Sequence, residues 1–134
     1  MIGLIDFYND SKGTNVGATI AAIQSMTKPI LLIAGGDGKN QNFKPLINPS
    51  KIKVKNIALI GKDAKIMQEI FTDESIPVSI EKNLELAIIK SFELAKSGDV
   101  ILLSPACAST DMFKNYVHRG EVFKDCVSRL KNKS

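Results

Sequence analysis

Three short segments carry the residues best suited to chemistry. Asn9-Asp10-Ser11-Lys12-Gly13-Thr14-Asn15 places a carboxylate, an ammonium and two hydroxyls within seven residues, just ahead of a helical pattern. A helix start presents unpaired N–H groups and the positive end of the dipole, which suits an anion. The same residue types also build turns and caps without any ligand, and spacing alone does not separate the two readings. The second segment is Gly35-Gly36-Asp37-Gly38-Lys39-Asn40. Its glycines let backbone approach a ligand, and Lys39 can pair with a carboxylate or phosphate. It is not a nucleoside-triphosphate P-loop: Asn40 follows Gly-Lys where Ser or Thr is required, and Ile33 stands where the first glycine belongs. A glycine-rich turn with an incidental lysine is the competing reading.

The third segment is Ser104-Pro105-Ala106-Cys107-Ala108-Ser109-Thr110-Asp111. Small residues pack backbone closely, and Ser109 and Thr110 can donate hydroxyls and cap the helix that follows. Cys107 invites a nucleophile reading. The sole histidine, His118, is the only base to hand, and nothing in the sequence places it beside the thiol. A small buried packing residue is the expectation.

These segments sit at the ends of apolar runs that alternate with helical patterns, which argues for a sheet covered by helices. Ile2–Tyr8, Pro29–Ala34, Val54–Ile60, Val78–Ile80 and Val100–Leu103 read as strands. Asn15 reads as the N-cap of a helix burying Val16, Ile20, Ile23 and Met26. Phe43–Ile47 reads as a short helical turn limited by Pro45 and Pro49, and Asp63–Phe71 as a helix. Glu81–Lys96 is the clearest helix, with Gly98 as its C-cap, and a last helix starts at about Glu121. The layout is a Rossmann-like three-layer α/β sandwich with a mostly parallel sheet of about six strands. Ligands of such sheets collect at the carboxyl ends of the strands.

Bulk properties narrow the class. The 134 residues fit one domain over 1–134, and 44% apolar with 24% charged residues is ordinary globular composition. No apolar run approaches the roughly 20 residues of a membrane span, and Met1–Asp6 lacks a signal-peptide pattern. Two cysteines are too few for a disulfide scaffold, so the expected setting is cytoplasmic. The net charge of +4 comes partly from Lys44, Lys51, Lys53 and Lys55 and from Arg129, Lys131 and Lys133. Neither cluster has interleaved aromatics, so both read as solvated surface rather than a nucleic-acid face.

Taken together, the three segments resemble the Mur ligase family, in particular the ligases that add D-glutamate to UDP-N-acetylmuramoyl-L-alanine. That family carries Asn-Asp-Ser-Lys-x-Thr-Asn, matched by Asn9–Asn15, and Gly-Gly-x-x-Lys, matched by Gly35–Lys39. It also carries Leu-Ser-Pro-Ala-Cys-Ala-Ser-x-Asp-x-Phe followed by a basic residue, an aromatic and Arg-Gly. Leu103–Phe113, Lys114, Tyr116 and Arg119-Gly120 match these. The three motifs lie in order across nearly the whole chain, and other Mur ligases differ in the first.

The resemblance implies a C-terminal, glutamate-binding domain. ATP would phosphorylate a substrate carboxylate, the amine of D-glutamate would attack the acyl phosphate, and phosphate would leave. Thr14, Lys39 and Ser109 would hold the D-glutamate carboxylates, with Tyr116 touching the amino acid mainly through its backbone. Tyr116 stands where the family commonly has Phe. Asp10 would face the ribose, and Lys12 would lie by the phosphates. The expected partners are D-glutamate, ATP with Mg2+, and UDP-N-acetylmuramoyl-L-alanine, with no nucleic acid or membrane, on a monomeric protein. The family's P-loop, magnesium ligands and UDP-binding domain are unmatched and would precede Met1, so the chain alone is expected to be inactive. Two alternatives stay open: a ligase of the same superfamily for another amino acid, and a stand-alone binding module without chemistry.

Overall fold

The computed structural model describes residues 5–109 and 111–133. Five strands form one fully parallel sheet: β1 (Asp6–Asn9), β2 (Ile30–Gly35), β3 (Val54–Ile60), β4 (Val78–Ile80) and β5 (Val100–Leu103). Their order is β1-β5-β2-β3-β4. Five helices connect or follow them: α1 (Val16–Ser25), α2 (Ile47–Lys53), α3 (Ala64–Thr72), α4 (Leu84–Leu94) and α5 (Tyr116–Lys133).

The alternation of β2 explains the layers. Ile30, Leu32 and Ala34 join a core with Val16, Ile23, Leu46, Met67 and Phe71, beneath α1, α2 and α3. Leu31 and Ile33 point the other way, into a core with Leu84, Ala87, Ile88, Phe123 and Cys126 beneath α4 and α5. Both faces are covered, which is why the β2 run is apolar throughout rather than alternating. The expected three-layer sandwich is therefore present. The count differs: five strands rather than about six are found among the described residues, and the extra pairing near the sheet is a single antiparallel bridge, Asp37 to Ala108.

Four local expectations need correction. The turn at Lys44–Leu46 continues into α2, because Pro49 lies in the first helical turn, where a missing N–H costs nothing. α4 is shorter at both ends than Glu81–Lys96: Asn83 caps it by accepting from Leu86 N at 2.8 Å. Gly98 is not its C-cap but lies in the turn closed by Asp99 N donating to Lys96 O at 2.9 Å. α5 begins at Tyr116 rather than Glu121, with Asn115 Oδ1 accepting from His118 N at 2.9 Å. Gly120 does not break this helix. A Cβ there would lie 3.0 Å from Asn9 Nδ2, so the glycine lets α5 press onto the end of β1. Of the expected first strand, residues 2–4 lie outside the described residues.

Candidate functional site

In the sheet order, β1, β5 and β2 are neighbours, so the loops after their carboxyl ends are adjacent. These are the three chemically unusual segments. Backbone contacts join them directly. Ala106 N donates to Gly13 O at 2.7 Å, tying the third loop to the first. Asp37 N donates to Ala108 O at 3.0 Å and Ala108 N to Asp37 O at 2.8 Å, tying the third to the second. Thr14 is the neighbour of Gly13, Ser109 the neighbour of Ala108, and Lys39 lies two residues from Asp37. The expected D-glutamate set is thus brought to one edge.

The second loop is shaped by close packing. Gly36 has φ +130°, and a Cβ there would lie against the Ala108 carbonyl oxygen, so glycine alone permits the bridge. Lys39 and Asn40 follow with φ 52° and 61°, both left-handed. Hydrogen bonds hold them there: Gly38 N to Asp63 Oδ2 at 2.7 Å and Lys39 N to Asp37 Oδ1 at 3.0 Å. The Lys39 side chain stays 65% exposed, with Nζ 3.6 Å from Asp37 Oδ2. Lys62, just beyond β3, brings a second ammonium to within 4.0 Å of the same oxygen. The Lys39 backbone N–H, countered by partial desolvation and aided by the charges of Lys62 and Lys39, holds the Asp37 carboxyl below the usual carboxylate range. Lys62 has no sequence signature, and only the register of β3 against β2 exposes it.

Asp10 and Lys12 part company. Asp10 Oδ2 accepts from the buried Ser104 hydroxyl at 2.9 Å, and Thr19 Oγ1 donates to Ser104 O at 3.1 Å. The carboxylate is therefore fixed at the junction of the first and third loops. Lys12 is exposed and lines a groove of about 380 Å³ with Tyr8, Asp10 and Ala18. A larger groove of about 500 Å³ lies at the opposite end of β1, by Asp6, Lys28 and Val100. It holds none of the expected site residues.

The start of α1, where the first loop could meet an anion, is partly occupied by the protein itself. Two early N–H groups of α1 are taken within the protein: Ala18 N by Asn15 Oδ1 at 2.8 Å and Val16 N by Gln41 Oε1 at 2.9 Å. Thr14 is half-buried, and its hydroxyl has no hydrogen-bond partner among the described residues. Ser109 is 4% exposed and carries the turn, its carbonyl accepting from Phe113 N at 2.8 Å. Thr110 lies outside the described residues. Tyr116 opens α5 and is 44% exposed, while its carbonyl accepts from Ser11 Oγ at 2.6 Å. That carbonyl is therefore committed to the protein.

Arg119 was legible only as part of a motif, and its job appears in three dimensions. It is 1% exposed. Nη2 donates to Ser11 O at 2.8 Å, Nε to Ser11 Oγ at 3.1 Å, and Nη1 to Cys107 O at 3.0 Å. Burial pulls its pKa down to about 10, opposed by the negative charge of Asp111. Cys107 is the packing residue expected: it is fully buried, and burial first, then Asp63, pushes its thiol up to about 12. A thiol held neutral is no nucleophile. His118 is engaged elsewhere, Nδ1 accepting from Lys114 N at 3.2 Å and the ring packing edge-on to Phe113.

Three lysines of the Lys44–Lys55 cluster are held within the fold. Lys51 pairs with Glu74, Lys55 with the buried Asp99, and Lys53 caps α1 by donating to Gln24 O and Met26 O. No helix among the described residues is long and apolar enough to cross a membrane.

Residues 2–107 match the family described as Mur ligase, glutamate ligase domain. The chain is 48% identical over 126 residues to the UDP-N-acetylmuramoylalanine–D-glutamate ligase of Burkholderia cenocepacia, covering 94% of this chain and 25% of that protein. The same-named ligase of Cupriavidus metallidurans is 50% identical over 126 residues, with the same coverage. That of Methylobacillus flagellatus is 48% identical over 129 residues, covering 96% of this chain and 28% of that protein. The chain spans about a quarter of the length of the curated relatives it matches.

Proposed function

The chain belongs to the Mur ligase family, as its glutamate ligase domain, and from that membership we propose that it holds D-glutamate for ATP-dependent ligation to UDP-N-acetylmuramoyl-L-alanine. In this reading it is the C-terminal domain of a longer ligase whose other domains cradle ATP and the UDP substrate. The carboxylate of that substrate is phosphorylated by ATP. The D-glutamate amine then attacks the acyl carbon, an amide bond forms, and phosphate leaves.

One observation supports the site above all. The loops bearing Thr14, Lys39 and Ser109 are joined backbone to backbone at adjacent strand ends. Lys39 supplies the charge for one carboxylate of D-glutamate, while the Thr14 and Ser109 hydroxyls donate hydrogen bonds. The carbonyl of Tyr116 is bound to Ser11, so the contribution of that residue falls to its N–H and its ring edge. Asp10 faces the ribose from its fixed place on Ser104, and Lys12 lies by the phosphates, where several negative charges must be neutralised together. In this reading Mg2+ travels with ATP and is held mainly by the rest of the ligase.

An amide NMR titration of the labelled chain with D-glutamate tests the site, with L-glutamate as the control. Shifts should cluster at residues 11–15, 36–40 and 107–117. Few contacts must offset the entropy of association, so affinity should be no better than about millimolar. Micromolar binding, or shifts centred on Lys51–Lys55, would overturn the site as drawn.

A further inference from the structure

We propose that Gln41 is a positioning residue for D-glutamate, a side chain that holds all three ligand-bearing loops in register; this rests on the D-glutamate site proposed above. Its amide is used at both ends. Oε1 accepts from Val16 N at 2.9 Å, two residues past Thr14. Nε2 donates to Gly38 O at 2.8 Å, next to Lys39, and to Ala106 O at 3.0 Å, three residues before Ser109. The partners fix the orientation of the amide. Val16 N–H can only donate, and the two carbonyls can only accept, so the flipped amide would face three mismatches.

The consequence for Lys39 is specific. The residue before it is pinned at both of its backbone polar groups, Gly38 N by Asp63 and Gly38 O by Gln41. Lys39 N is pinned by Asp37. A left-handed lysine flanked by these contacts has little backbone freedom, so its ammonium swings from a fixed root. Ala106 is left-handed as well, at φ 64°, with N–H on Gly13 and carbonyl on Gln41. Gln41 and Ala106 thus close a ring through the first, second and third loops. No other residue type does the same work: Glu lacks the donors, Asn is one methylene short, and Met makes no hydrogen bond.

The test is steady-state kinetics on the intact ligase that carries this chain, comparing Gln41→Met, Gln41→Glu and Lys39→Ala. Gln41→Met should raise the KM for D-glutamate about ten-fold, a part of the value of the three hydrogen bonds it removes. The KM for the UDP substrate should not move, and the thermal midpoint without ligand should fall only slightly. Gln41→Glu keeps the length and the acceptor for Val16 N, so it gives the same KM rise if Gln41→Met does not accumulate. A merely structural role would lower kcat through a smaller active fraction and leave both KM values alone. That outcome, or a KM for D-glutamate within two-fold of the parent in both variants, overturns the inference. Lys39→Ala separates the two levels. If it raises the KM and the Gln41 variants do not, only the role of Gln41 fails. If all leave it unchanged, the site itself is wrong.

Discussion

Arg119 grips Ser11 twice, through the backbone carbonyl at 2.8 Å and the hydroxyl at 3.1 Å, and it does so from a helix more than a hundred residues away along the chain. Its third bond, to Cys107 O, completes a clamp between the first and third loops. A guanidinium this deeply buried, meeting neutral oxygens, carries a desolvation cost that its hydrogen bonds must offset.

Arg119→Met should therefore destabilise the chain by about 2–4 kcal/mol. Hydrogen bonds to a charged group are worth about 1.5–3 kcal/mol each, and relief of the buried charge returns part of the loss. Arg119→Lys should do little better, since an ammonium cannot match the fork geometry. Urea unfolding of the purified chain measures both. Parent-like midpoints would show that the clamp is idle.

Gly36→Ala tests the bridge between the second and third loops. The new Cβ meets the Ala108 carbonyl oxygen, and alanine is strained at φ +130°. A loss of at least about 2 kcal/mol is expected, with the Asp37 and Ala108 amide protons exchanging faster with solvent. Unaltered exchange at those two amides would mean that the loops are held by other contacts.

Much of this architecture was legible in the sequence, for identifiable reasons. β2 and β5 are apolar on both faces and closed by glycine or small residues, so their burial and the loops after them followed from pattern alone. The Asn15 cap was legible because capping is local. Pattern alone starts α5 too late, at about Glu121 rather than Tyr116, and the close approach of Gly120 to the end of β1 is not a local property. Arg119, Gln41 and Lys62 were opaque in a related way. Each acts across 25 or more residues, on partners that only the sheet order brings near. The site residues themselves stood out through motif resemblance rather than through spacing.

Lys39 presents a conflict between stability and binding. Its left-handed backbone costs about 1–2 kcal/mol relative to glycine, and glycine returns about 0.5–1 kcal/mol of that as unfolded-state entropy. Lys39→Gly should then be neutral or stabilising by up to about 1 kcal/mol in urea unfolding. On the proposed site, in which Lys39 holds a D-glutamate carboxylate, the same change in the intact ligase should raise the KM for D-glutamate roughly ten- to a hundred-fold, through loss of that charge-assisted bond. A destabilised variant with parent kinetics would contradict both halves.

Stability should also fall with alkaline pH, and Cys107 is the main cause. Folded Cys107 keeps its proton until about pH 12, whereas an exposed thiol loses it near 9.0. Above pH 9 the unfolded state therefore binds fewer protons than the folded state, and stability falls as pH rises through this window. Arg119 has the opposite sign: its folded value near 10 lies below the ordinary 12.5, so between these values the unfolded chain binds more protons and stability rises. Below pH 10 the thiol acts without that compensation. Cys126 adds a loss of the same sign, because burial raises its thiol too, so a comparison of variants is needed to isolate Cys107. Between pH 8.5 and 10 the parent should lose roughly 1 kcal/mol more unfolding free energy than Cys107→Ala. Each pH step of one, once the unfolded thiol has ionised and the folded one has not, removes about 1.36 kcal/mol. Urea titrations of both proteins at matched ionic strength decide it. Parallel pH profiles would mean that the Cys107 thiol ionises as readily in the folded chain as in the unfolded one.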